Sequence, residues 1–126
     1  YKEDCMAWVH GPVYEEVYDL FKDFKFNPIE DNRFAILKER FEELDDQEKM
    51  VIDLVINTFG KYSGKVLENI THNEDPWKDA RSDYEPLQPS REIISKEEIK
   101  KYFSNVANSY GIDSEEKLNN YIQSYL

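Results

Sequence analysis

The groups in this chain that could do chemistry are two histidines, one cysteine and many carboxylates. His10 lies in Ala7-Trp8-Val9-His10-Gly11-Pro12, and His72 in Thr71-His72-Asn73-Glu74-Asp75-Pro76-Trp77. A zinc site draws on three or four closely spaced ligands, mostly Cys and His. Cys5, His10 and His72 are too scattered for that spacing, so no metal and no cofactor is expected. Nucleophilic catalysis would set Cys5 beside His10 or His72, with Asp75 orienting the base. A lone cysteine is more often a small buried hydrophobe, and a loop histidine more often satisfies a cap or turn. A hydrolase or transferase built on His72 and Asp75, with His10, therefore stays open beside a purely structural role. The glycines at 11, 60, 64 and 111 form neither a P-loop nor a dinucleotide fingerprint.

The second chemistry-bearing set is aromatic: nine Tyr, seven Phe and two Trp in 126 residues. Trp8 and Trp77 are expected at the core or its edge. Tyr and Trp also dominate binding hot spots, because each joins a rigid apolar body to a polar tip. Tyr14 and Tyr18 lie near, but not on, the apolar stripe Val13-Val17-Leu20 and are candidate exposed anchors. Glu15 and Glu16 beside them, and Tyr121 and Tyr125 in the last helix, complete the partner-contact candidates.

With 14% aromatic and 40% hydrophobic residues, the chain can fill a core, despite 34% charged residues and a mean hydropathy of -0.80. Its length suits a single domain. The net charge of -11 repels phosphate, and Lys96, Lys100 and Lys101 are interleaved with Glu97 and Glu98. Neither nucleic acid nor an anionic membrane is expected as a partner; a basic protein is. No apolar run approaches the roughly 20 residues of a membrane span. The start, Tyr1-Lys2-Glu3-Asp4, is not a signal peptide, and one cysteine fits a reducing compartment, so a cytoplasmic location is expected. The lack of Met at position 1 suggests a processed, trimmed or partial chain.

These side chains must be positioned by short elements, nearly all with helical periodicity. Pro12 at a first helical position, followed by Val13, Val17, Leu20, Phe21 and Phe24, predicts a helix over 12–25. Phe34, Leu37, Phe41 and Leu44 predict one over about 32–44. Asp45 with Glu48 forms a capping box for a helix whose buried stripe is Val51, Leu54, Val55, Thr58 and Phe59, ending at Gly60. Ser63 caps a short helix with Val66, Leu67 and Ile70, and Asp75-Pro76 opens another short turn to Arg81. A loop with Pro86 and Pro89 covers 82–94, where Ile93-Ile94 makes a short extended piece. Ser95-Lys96-Glu97-Glu98 caps a helix ended by Gly111, and a last one begins near Asp113. The fold class expected is all-α, a compact bundle of about five to seven short helices.

Two segments go further than this helix grammar. Ala7-Trp8-Val9-His10-Gly11-Pro12-Val13, running on to Val17-Tyr18, resembles the A-W-x-x-G-P-V-x-x-x-[VL]-Y signature of the Panacea domain. That family is also known as the phage-associated, SocA-like antitoxins. Tyr62-Ser63-Gly64 through Leu67, Thr71-His72-Asn73-Glu74-Asp75-Pro76-Trp77 and Ala80-Arg81 resembles its Y-S-A-x-x-L-x-x-x-T-H-x-E-x-P-W-x-x-A-R signature. Ile94 through Phe103 is similar to its closing I-x-x-x-x-I-x-x-Y-F. The resemblance covers roughly residues 5–104, with Trp8, Gly11, Pro12, Val13, Thr71, His72, Pro76 and Trp77 as motif positions. Members usually open with a longer helical segment, so the resemblance implies a fragment or a reduced member here.

What the resemblance implies is an antitoxin that neutralises a cognate toxin by direct binding, without being an enzyme. The toxin would be encoded by the adjacent gene. An adaptor that delivers its partner to a protease, or another phage-associated regulatory protein, is the alternative the family also allows. Residues 1–110 would form the Panacea-like domain, short at its N-terminus. Residues 111–126 would form an amphipathic helix packed on it or contacting a partner.

Overall fold

The computed structural model describes residues 2–37 and 43–126. Strand β1 (Cys5–Trp8) turns back through Val9-His10 into β2 (Gly11–Tyr14), and β3 (Ile93–Ile94) joins the other side of β1. The sheet order is β2-β1-β3, antiparallel throughout, with Cys5 opposite both Tyr14 and Ile94. Around it lie α1 (Glu15–Phe21), α2 (Asp31–Leu37), α3 (Asp46–Phe59), α4 (Gly64–Asn73), α5 (Asp75–Ala80), α6 (Lys96–Tyr110) and α7 (Glu115–Gln123). The protein is thus mainly helical with a small sheet, which corrects the all-α expectation.

The correction has a local cause at Gly11-Pro12. Gly11 takes a φ of 125°, a conformation that side-chain-bearing residues rarely adopt and that no helix contains. Pro12 then sits on the outer strand, where its missing N–H does not interrupt the sheet. The expected helix over 12–25 is therefore split into β2, α1 and a 3-10 turn at Lys22–Phe24. Of the helix expected over 32–44, α2 supplies the first part, Phe41 lies outside the described residues, and Leu44 is not helical.

The capped helices follow their sequence signals closely. Asp45 and Glu48 form the full reciprocal box on α3. Ser63 accepts from the Val66 N–H at the start of α4, and Ser95 from the Glu98 N–H at the start of α6. Gly111 ends α6 in the left-handed conformation that favours glycine there. The last cap is Ser114 rather than Asp113, which pairs instead with Lys117 at 2.6 Å. The turn after Asp75 is a true helix with Pro76 in its first turn.

Two small apolar clusters hold these elements. Cys5, Ala7 and Ile94 centre the first, against Tyr14, Trp77, Ala80 and Ile99. Ile70, Tyr121 and Ile122 centre the second, where α7 closes over α4 with Phe59, Leu67 and Val106 around it. By contrast, α3 is poorly covered. Of its expected buried stripe only Thr58 is buried, while Val51 and Val55 are 57% and 45% exposed. Met50, Ile52 and Ile56 on the same helix are also exposed. Too little chain packs on α3 to cover so wide an apolar arc.

Candidate functional site

The motif residues converge where the β1–β2 hairpin meets α4 and α5. Trp77 Nε1 donates to the Trp8 carbonyl at 2.9 Å. Arg81, 5% exposed, donates through Nη1 to the Ala7 carbonyl at 3.0 Å. Its Nη2 reaches the carbonyls of Gln88 at 2.7 Å, Glu85 at 3.2 Å and Pro86 at 3.4 Å. One guanidinium therefore ties the hairpin to the loop that precedes β3. Arg81 belongs to the second signature but was not among the residues singled out from sequence; nothing in its spacing marks it as buried.

The rings pack with equal economy. His72 stacks on Trp77 with centroids 3.9 Å apart and planes 12° from parallel. A Cβ added to Gly11 would lie 3.2 Å from Thr71 Oγ1, so the hairpin and α4 approach closely at that point. Thr71 Oγ1 in turn donates to the Glu68 carbonyl. Pro76 is buried, and Val13 and Trp8 are half-buried. Burial holds the His72 pKa below its usual value, against the opposing pull of the Glu68 carboxylate. Its Nε2 is buried without a hydrogen-bond partner.

A cleft of about 460 Å³ opens beside this junction, lined by His10, Lys65, Glu68, His72, Lys78 and Tyr84 among others. Its charges are locally paired. His10 Nδ1 and Lys65 Nζ each lie 3.0 Å from Glu68, whose pKa they lower through hydrogen bonds. Lys78 pairs with Asp75 at 2.7 Å. Asp75 is thus engaged with Lys78, and no hydrogen bond joins it to His72 among the described residues. Cys5 is buried in the first cluster, and burial pushes its thiol pKa up, away from nucleophilic thiolate. Among the described residues no three His, Cys, Asp or Glu gather as a metal site.

The partner-contact candidates separate into two places. Tyr14, Glu15, Glu16 and Tyr18 run together from β2 into α1. Tyr18 is 46% exposed and meets the Trp8 ring edge-on at 5.0 Å. Tyr14 is half-buried on the first cluster, Glu15 pairs with Arg91 at 2.6 Å, and Glu16 is exposed. Tyr121 and Tyr125 do not share that surface. Tyr121 is 1% exposed, so it fills the core rather than standing out as an anchor, and Tyr125 packs edge-on against it. Their hydroxyls meet that of Tyr102, at 3.2 Å from Tyr121 and 3.0 Å from Tyr125. The Tyr121 hydroxyl also donates to Glu74 Oε1 at 2.8 Å.

The feature that sequence reasoning missed is the uncovered side of α3. Beside it runs an apolar groove of about 520 Å³ between α3, α4, α6 and α7. The signal lay in Met50, Ile52 and Ile56, which extend the apolar arc well beyond the stripe that one-sided packing would bury.

The antitoxin SocA-like, Panacea domain model matches residues 1–78, more than half of the chain. The chain belongs to the SocA-like Panacea antitoxin family. No curated protein and no solved structure matches it. The matched span ends inside α5, so the Panacea segment contains the hairpin, α3, α4 and the His72–Trp77 stack. No described helix is long and apolar enough to cross a membrane.

Proposed function

We propose that this Panacea chain is an antitoxin that neutralises a cognate toxin by direct binding, with the open side of α3 as its main contact surface. The observation that carries this reading is the exposure of Met50, Val51, Ile52, Val55 and Ile56 along one helix. A contiguous exposed apolar surface of this kind marks a protein interaction site. The paired charges of the motif cleft and the engagement of Asp75 with Lys78 supply no catalytic grouping in support of the hydrolase alternative. The net charge of -11 favours a basic toxin face and speeds encounter with it. Tyr18 and Glu16, with Tyr14 and Glu15 behind them, form a secondary contact patch in this proposal. Residues 111–126 act from within the fold, with Tyr121 and Ile122 supporting the groove.

The test is co-expression of the chain with the protein encoded beside it. Rescue of growth together with a co-purifying complex is the expected result. A toxic neighbour that neither binds the chain nor is neutralised by it refutes the reading. Rescue that disappears when the host protease is deleted points instead to delivery for degradation.

A further inference from the structure

The apolar groove has one carboxylate in its lining. Val55 and Phe59 of α3, Ile70 of α4, Phe103 of α6 and Leu118 of α7 supply apolar wall, and Glu74 is the lone acid among the lining residues. Tyr121 donates one hydrogen bond to that carboxylate, and no Lys, Arg or His pairs with it among the described residues. Burial raises the Glu74 pKa, with the Tyr121 bond pulling the other way. A desolvated carboxylate without a cation is stabilised by any ligand that brings one.

The walls also restrict the shape of the occupant. They come from helices and their ends, with no free strand edge. An extended segment laid on them would bury unpaired backbone N–H and C=O groups, whereas a helix arrives with its own bonds made. About 520 Å³ suits a row of side chains spaced at i, i+3 or i+4, and i+7. We propose that this groove takes an amphipathic helix of the toxin, whose apolar face fills it and whose Lys or Arg reaches Glu74. The inference rests on the antitoxin reading and specifies the chemistry of its partner. The acidic chain as a whole favours the same basic helix.

The test measures binding of the intact chain to the toxin encoded beside it, and to a peptide made from that toxin's basic amphipathic helix. Val55→Asp places a charge at an already exposed position, so the fold, followed by circular dichroism, is retained. It should weaken toxin binding at least about a hundredfold. Glu74→Gln keeps an acceptor for Tyr121 but removes the charge, and should weaken binding about tenfold. That tenfold effect should vanish when the peptide's basic residue is replaced by norleucine. Hydrogen exchange on the wild-type complex should slow in α3 and α6.

Tight wild-type binding that both variants retain, with no slowing in α3, overturns the groove and the α3 contact surface and leaves neutralisation by direct binding standing. A wild-type chain that neither binds nor neutralises the toxin overturns both. A dimer of the chain alone that Val55→Asp dissociates, with toxin binding unaffected, overturns the proposal in favour of a second copy on this face.

Discussion

The hairpin junction and the α3 face are built on opposite principles. At the junction, Arg81 is spent on main-chain carbonyls, Trp77 is bonded to Trp8 and stacked on His72, and Gly11 lies close against Thr71. On α3, the large aliphatic side chains Met50, Val51, Ile52, Val55 and Ile56 stay 41–65% exposed. The comparison teaches that the residues which identify the family are chiefly architectural. The contact surface proposed for it lies instead where the chain leaves apolar surface open. The groove also straddles the matched segment. Leu54, Ile70 and Glu74 come from within residues 1–78, whereas Phe103, Ile112 and Leu118 come from beyond it.

The strongest way to break the comparison is Arg81→Ala. It would leave the buried carbonyl of Ala7 and the partly buried carbonyl of Gln88 without their donor, a loss of about 3 kcal/mol. Thermal unfolding should show a much lower midpoint, and Arg81→Lys should not restore it, because an ammonium cannot span carbonyls on both sides. A midpoint unchanged within error would mean that the junction is not what holds the hairpin. Trp77→Phe is a milder version. It keeps most of the stack on His72 but loses the bond to the Trp8 carbonyl, and should cost about 1 kcal/mol in chemical denaturation.

Ile56→Lys is the counterpart on the other region. Ile56 is 59% exposed, so stability should change by no more than about 0.5 kcal/mol. Toxin neutralisation in co-expression should nonetheless fail. If Ile56→Lys instead unfolds the chain, α3 is a core helix and the contrast between the regions collapses.

The two regions also differ in how legible they were. Caps act locally, so Asp45 with Glu48, Ser63, Ser95 and Gly111 announced their helix ends. The sheet was less visible. Its strands are two to four residues long, and Pro12 fits an outer strand as well as a first helical turn. Only the positive φ of Gly11, which follows from its pairing with Trp8 across a two-residue turn, decides between them. The motif residues could be named from sequence, but not the role of Arg81, whose partners are main-chain carbonyls that carry no sequence signature. The groove was hidden for a different reason. Periodicity tells which side chains of α3 share a face, whereas their exposure depends on how much other chain arrives to cover them.

Glu74 offers the finest test, because it sets stability against binding at a single residue. Burial raises its pKa above the ordinary carboxylate value, so the folded chain holds the proton more tightly than the unfolded chain. At neutral pH the folded state therefore bears the full penalty of a buried charge. That penalty is relieved as pH falls through the folded pKa toward the ordinary value of 4.5. His72 works with the opposite sign: its lowered pKa makes the folded state lose stability as pH falls below 6.5. Comparing Glu74→Gln with wild type cancels the His72 contribution. The variant should be the more stable of the two at pH 7, and the difference should shrink steadily toward pH 4.5. A residue with a merely structural role would give a variant that is less stable at pH 7 and unchanged in binding. A variant that is more stable yet binds the toxin more weakly would mark Glu74 as a charge kept buried for its partner.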